Sequence, residues 1–233
     1  MKEEVLADDV AVACRGAATI AADAREAVAE RGRFLFAVSG GHTPWRMLAA
    51  LAREDVPWNA AHLFQVDERV APAGDPDRNL THIQESLLGR VALPPGNLHA
   101  MPVEGAEKDL PAAAARYARE LESLAGTPAV LDLVHLGLGP DGHTASLVPG
   151  DPVLAVTDHA VALAGPYRGH LRMTLTFPVL DRARRILWLA TGAEKSWILA
   201  RLRAGDHSIP AGRVSSERAL LLTDRAAAGV RTP

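Results

Sequence analysis

Short, mainly apolar runs alternate with helix-length segments along this chain, and each run stops at a cluster of glycine and polar residues. Phe34-Leu35-Phe36-Ala37-Val38 ends at Ser39-Gly40-Gly41-His42, and His62-Leu63-Phe64-Gln65-Val66 ends at Asp67-Glu68-Arg69. Leu131-Asp132-Leu133-Val134-His135-Leu136 runs into Gly137-Leu138-Gly139-Pro140-Asp141-Gly142-His143. Strands that are mainly apolar, rather than alternating, belong in a sheet covered on both faces. Interleaved with helices, they predict an α/β fold: a mostly parallel central sheet with helices on both faces, Rossmann-like. Such sheets bind ligands at the carboxyl ends of their strands, where the strand order reverses. The polar clusters fall at those ends.

Local signals fill in the rest. Residues 9–31 are Ala-rich with spaced Val and Ile and stop at Gly32, which reads as a helix with its C-terminal stop. Thr43-Pro44 reads as an N-cap followed by proline at the first helical position, with Trp45, Leu48, Ala49 and Ala52 at helical spacing behind it. Further helices are expected near 79–88, 109–124 and 193–202, and strands near 97–103, 172–177, 186–190 and 219–222. The Pro/Gly-rich stretch 149–169 is expected to be a loop or a small excursion. With no repeat or linker, the 233 residues read as one domain spanning 1–233.

Composition removes several function classes. Although 48% of the residues are hydrophobic, no apolar stretch is long enough to cross a bilayer, so no membrane partner is expected. A formal net charge of −3 is too balanced for a nucleic-acid surface. The N-terminus is acidic without a secretory apolar core, and the single cysteine, Cys14, excludes an intrachain disulfide; both point to the cytoplasm. Cys14 lies in a helical Ala-rich pattern and reads as buried filler.

Three clusters carry chemistry. In Ser39-Gly40-Gly41-His42-Thr43-Pro44, glycines allow close approach of the backbone, and the helix start behind them presents unpaired N–H groups suited to a phosphate. A plain strand-to-helix turn fits the same residues, and both readings stay open. The second cluster, residues 137–142, matches G-x-G-x-x-G, but Pro149 and Pro152 cut short any following helix, and the Asp141 carboxylate would repel a pyrophosphate. NAD binding is therefore not expected. The same loop supplies Asp141 and His143: an imidazole can take and return a proton near neutral pH, and a neighbouring carboxylate can fix its tautomer. By itself, Asp-Gly-His reads first as an Asx-type turn with an exposed histidine. The third cluster is positive charge at later strand ends, Arg69, Arg172 and Lys195, each able to hold a phosphate and each, alone, more often a solvated surface residue. The run Asp181-Arg182-Ala183-Arg184-Arg185 precedes a strand and reads as a solvated edge. No zinc-ligand spacing and no Gly-x-Ser-x-Gly elbow occurs, so a hydrolase built on this chain must activate water directly.

Taken in order, these segments resemble the 6-phosphogluconolactonase family over nearly the whole chain. Phe36-Ala37-Val38-Ser39-Gly40-Gly41-His42-Thr43-Pro44, Val66-Asp67-Glu68-Arg69-Val70-Ala71-Pro72 with Asp77-Arg78-Asn79, and residues 137–147 carry the likeness, completed by residues 172–176 and 191–195. The resemblance implies a fold of the glucosamine-6-phosphate deaminase/ribose-5-phosphate isomerase type. It implies 6-phospho-D-glucono-1,5-lactone as substrate in the pentose phosphate pathway, no cofactor, no metal, and a monomer or homodimer. By the same resemblance, His143 is the base and Asp141 its partner. Ser39, Gly40, Gly41, Thr43, Asp67, Arg69, Arg172 and Lys195 are then the substrate and phosphate contacts. Deaminase relatives have Asp-Glu-Tyr where this chain has Asp67-Glu68-Arg69, and continue from Asp-Gly-His toward a glutamate. Here residues 144–150 contain no carboxylate. A hexosamine-6-phosphate deaminase is one alternative and a non-catalytic sugar-phosphate sensor the other, the latter without a DNA-binding extension to report through.

Overall fold

An apolar run forms a buried strand when its pleat meets side chains on both faces and its backbone groups find partners on both edges. That is the arrangement in a computed structural model of the chain, which describes residues 1–106 and 109–230. Its strands are β1 (Lys2–Leu6), β2 (Phe34–Val38), β3 (Ala61–Gln65), β4 (Asp67–Arg69), β5 (Leu98–His99), β6 (Leu133–Gly137), β7 (Val161–Tyr167), β8 (His170–Leu175), β9 (Arg185–Ala190) and β10 (Ala219–Asp224). The α-helices are α1 (Asp9–Arg31), α2 (His42–Leu51), α3 (Asn79–Ser86), α4 (Leu110–Ala125), α5 (Phe177–Arg182), α6 (Ser196–Arg203), α7 (Pro210–Arg213) and α8 (Arg225–Ala228).

Seven strands pair in the order β1-β10-β9-β6-β2-β3-β5, every pair parallel. Successive side chains feed two cores. Phe34, Phe36 and Val38 pack with Val12, Ile20, Met47 and Leu48 under α1 and α2. Leu35 and Ala37 join Tyr117, Leu121, Leu136 and Trp188 on the other face. Truncating one fully buried ring such as Phe36 to alanine is expected to cost roughly 3–5 kcal/mol.

From β2 the chain goes outward through β3 and β5, then returns to lay β6 against the other edge of β2. The strand order therefore reverses between β2 and β6, and the turns leaving these two strands flank a crevice. Val66 joins this sheet to a second one. Its N–H donates to Val38 O (3.0 Å), while its carbonyl accepts from Leu175 N (2.8 Å). Beyond it β4, β8 and β7 form an antiparallel three-stranded sheet.

Helix α1 has the expected bounds: Asp8 accepts from Ala11 N–H, and Gly32 closes the helix at φ 75°. Several expectations change. Helix α2 begins at His42 with Gly41 as N-cap, so Thr43 is not the cap and Pro44 is the third helical residue. Proline is tolerated there because the N–H groups of the first turn have no helical acceptor. The 149–169 stretch is not all loop: β7 occupies its end and pairs along β8. The strand expected at 97–103 shrinks to Leu98–His99. An unexpected edge strand, β1, pairs with β10. Cys14 is exposed, not buried, because it lies on the solvent side of α1.

Candidate active site

A cleft of about 670 Å³ opens at the carboxyl ends of β2, β6 and β9. All the residues singled out above line it except Asp141, which stands behind His143. The Asp–His pair and the glycine turn thus share one cleft on one end of the sheet.

The 39–43 turn is held from beneath. Ser39 is buried; its N–H donates to His135 Nδ1 (3.3 Å) and its Oγ to His135 O (3.1 Å). Both Ser39 donors therefore face β6 and are not free for a ligand, a direction the sequence does not encode. The N–H groups of Gly40, Gly41, His42 and Thr43 accept no such role: among the described residues nothing takes their hydrogens, and α2 has no side-chain cap. Thr43 Oγ1 lies 2.7 Å from Thr191 Oγ1 and ties the turn to the end of β9. Gly40 is required by a close approach, since a Cβ there would lie 1.8 Å from Asn79 Oδ1.

The opposite wall is organised by a buried carboxylate. Glu68 accepts from Gln65 Nε2, Arg69 N, Asn79 N and Leu80 N at 2.7–2.9 Å, so it caps α3 and fixes both Arg69 and Asn79. Arg69 Nη1 donates to Asp77 O (2.6 Å) and Asn79 Oδ1 (3.0 Å). Asp67 is buried; its Oδ2 accepts from Ser146 Oγ (2.6 Å) and lies 3.9 Å from Arg172 Nη1. Burial pushes the Arg172 pKa down, and the Asp67 charge opposes the shift. Lys195 follows β9 in a short 3₁₀ turn, with Nζ donating to Leu138 O (2.8 Å). Burial lowers its pKa too, against Glu194.

The 137–143 loop does not open a helix, which fits the rejection of a dinucleotide motif. Gly139 N donates to His143 O (2.8 Å) and Gly142 N to Gly139 O (3.1 Å); Pro140 has no N–H. Those groups are committed within the loop and cannot serve a ligand oxyanion. Asp141 Oδ1 accepts from His143 N (3.2 Å) and sits 2.5 Å from His143 Nδ1. The Asx turn and the Asp–His pair are thus one structure. The imidazole lies against Gly139, where a Cβ would be 2.1 Å from Nδ1. With the carboxylate as acceptor, the proton sits on Nδ1 and the lone pair on Nε2, which makes no hydrogen bond among the described residues. Burial drives the His143 pKa below the ordinary imidazole value, and Asp141 opposes this. For Asp141, burial works upward, but the His143 charge and hydrogen bonds prevail and hold it low. The pair is neutral imidazole plus carboxylate at neutral pH. Next to it, Ala145 lines the cleft at φ 52°, a left-handed backbone that a non-glycine residue adopts at a cost of order 1–3 kcal/mol.

Sequence reasoning assigned no role to Asn79, Ser146, Tyr167 or Arg168. Asn79 and Ser146 lie inside the quoted segments, so their polarity was visible there. Tyr167 and Arg168 fell in the stretch read as loop, and only the β7–β8 register brings Arg168 to the cleft and Tyr167 to Asp141 behind it. The basic run 181–185 lies at the other end of the sheet, where Arg184 and Arg185 pair with Asp132 and Asp23.

Comparison with known proteins gives the family and the fold. The family of glucosamine-6-phosphate isomerases/6-phosphogluconolactonase matches residues 7–222. A 6-phosphogluconolactonase of Nostoc sp. is 34% identical over 233 residues, covering 97% of this chain and 96% of that one. The crystal structure of 6-phosphogluconolactonase from Thermotoga maritima superposes with a TM-score of 0.84 at 28% identity, covering 96% of this chain and 98% of that one. A monomeric glucosamine-6-phosphate deaminase shares the fold, with a TM-score of 0.83 at 20% identity over 99% of this chain and 100% of that one.

Proposed function

The chain belongs to the glucosamine-6-phosphate isomerase/6-phosphogluconolactonase family, and we propose that it hydrolyses 6-phospho-D-glucono-1,5-lactone to 6-phosphogluconate in the pentose phosphate pathway. The observation that carries the proposal is His143, held by Asp141 with Nε2 unbonded, in the same cleft as the open N–H groups of the 40–43 turn. A cleft of about 670 Å³ suits a small phosphorylated sugar.

The phosphate docks on the N–H groups of residues 40–43 at the positive end of α2, with Arg69 and Lys195 supplying charge. Arg172, its Nη1 3.9 Å from Asp67 Oδ2, stiffens the same wall. Docking brings the lactone carbonyl to His143. Nε2 removes a proton from water as the water oxygen attacks C1, and the carbonyl pair moves onto its oxygen. The oxyanion pair then re-forms the carbonyl as the C1–O5 bond breaks, its electrons leaving on O5, and the imidazolium returns the proton to O5. The acid so formed ionises in water. Asp141 holds the ring's tautomer and stabilises its charged form while the proton is on loan.

The deaminase reading needs a carboxylate following the Asp-Gly-His. The nearest, Asp151, accepts from Val153 N and Gly165 N and does not line the cleft, which favours the lactonase. The test is a coupled assay on freshly generated phosphogluconolactone, read as rate above spontaneous opening, with glucosamine 6-phosphate in parallel. Lactone turnover that His143→Ala abolishes is expected; ammonia release from the amino sugar, or no turnover of either, overturns the assignment.

A further inference from the structure

We infer that Tyr167 is a positioning residue of the hydrolytic site, completing a Tyr167–Asp141–His143 chain in which its hydroxyl fixes the second oxygen of the carboxylate. The inference rests on the role proposed above for His143. Asp141 spends Oδ1 on the backbone and ring of His143. Its other oxygen, Oδ2, accepts from Tyr167 Oη at 3.1 Å. A carboxylate held by one oxygen can still rotate; held by both, from two different segments, it cannot. Tyr167 Oη also lies 3.4 Å from His143 Nδ1, on the side of the ring away from the unbonded nitrogen.

The tyrosine is itself firmly placed. It ends β7 opposite His170, across a two-residue turn whose members, Arg168 and Gly169, have φ 52° and 86°. Positive φ at both central positions is the hairpin turn whose twist matches its strands. Arg172 Nη2 donates to the Tyr167 carbonyl at 3.2 Å, and the Arg168 and Arg172 guanidinium carbons stand 5.4 and 5.2 Å from the ring centroid. The His143 ring meets it edge-on, 5.2 Å between centroids. Burial and the bond to Asp141 both raise the phenol pKa, so at neutral pH the hydroxyl donates and does not act as a base.

Its influence reaches the substrate only through the pair. The groups facing His143 are Asp141 from its own loop, Tyr167 from β7, Asp67 from β4 and Arg172 from β8. Arg168 and Lys195 complete the charged surroundings of Tyr167 and Asp141. A donor on Oδ2 draws negative charge away from Oδ1, which keeps the imidazole less basic. Removing it concentrates charge on the His143 side and favours the imidazolium.

Tyr167→Phe keeps the ring and its cation contacts, so the fold should persist. Two readouts are expected to change. The His143 titration midpoint, followed by NMR of the imidazole, rises, and the acid limb of kcat/KM rises with it. At neutral pH kcat on the phosphorylated lactone falls about tenfold, equivalent to roughly 1.4 kcal/mol, with KM unchanged. An unmoved or lowered His143 midpoint overturns the inference, whatever the substrate proves to be. So does a raised KM with unchanged kcat, which would make Tyr167 a substrate contact. If the wild type lacks lactonase activity while the midpoint rises as expected, the proposed function fails and the Tyr167 chain stands.

Discussion

Arg69 and Arg172 stand opposite each other in the antiparallel register of β4 with β8. Directly opposed residues share one face of a sheet, and like charges placed so repel. Asp67 is the carboxylate beside Arg172, at 3.9 Å, while Arg69 is met by the Asp77 carbonyl and the Asn79 amide oxygen. Arg69 thus makes no ion pair among the described residues, and a bound anion can supply one. Inorganic phosphate or 6-phosphogluconate is expected to raise the melting temperature; ligand at a hundred times its Kd adds about 2.7 kcal/mol of stability. Arg69→Met should remove more than half of that rise. A rise of undiminished size in the variant, measured by calorimetry, would take Arg69 out of the anion site.

His143 gives a second prediction, with its sign set by burial. A general base works only when unprotonated, and desolvation holds this imidazole below the ordinary value against the pull of Asp141. The acid limb of kcat/KM should therefore lie below about 6.5, the unperturbed histidine value, with activity rising as pH climbs through it. His143→Ala should lose roughly 10²–10⁴ in kcat while binding 6-phosphogluconate as tightly as the wild type. A limb above that value, or a variant crippled in binding alone, contradicts the role.

Two glycines separate positioning of the base from docking of the phosphate. A Cβ on Gly139 would press into the His143 ring, and one on Gly40 into the Asn79 amide. Gly139→Ala should lower kcat by roughly 10²-fold, the cost of misplacing a reacting group by about an ångström. Gly40→Ala should raise KM for the phosphorylated lactone and weaken inorganic phosphate. If both variants lose kcat with KM fixed, the 40–43 turn is not the phosphate cradle.

What the sequence made legible, and what it hid, follows from burial. The central strands β2 and β9 announce themselves because both their faces are covered, so their interiors are apolar throughout; in β6 the same cover admits one polar residue, the buried His135. Edge strand β1, Lys2-Glu3-Glu4-Val5-Leu6, is half solvated and carries charge, so its composition resembles a tail. β7 contains Gly165 and Pro166, residues that read as loop, and is a strand because of its pairing with β8. Asp141 and His143 are two apart and could be joined on paper. Tyr167 is 26 residues from Asp141, and no local pattern links them. Ser39 teaches the same lesson in reverse: its place in the turn was readable, but the direction of its donors, toward His135, depends on the neighbouring strand.

His135 itself yields the last prediction. It lies in β6 with no exposure, accepts from Ser39 through Nδ1, and leaves Nε2 buried without a partner. Burial drives its pKa down to about 3. A folded-state value below the unfolded one means the unfolded chain takes up the proton first as pH falls. The stability present above about pH 6.5 is therefore lost progressively on the way down to about pH 3. Within that window one extra proton bound by the unfolded state makes stability fall by about 1.4 kcal/mol per pH unit. Replacing the imidazole by a group that does not titrate, as in His135→Gln, should remove this slope while keeping an acceptor near Ser39. Urea unfolding at pH 6, 5 and 4 measures it directly. Parallel stability profiles for the wild type and the variant would mean that His135 is protonated alike in both states, and that its neutrality plays no part in holding the 39–43 turn.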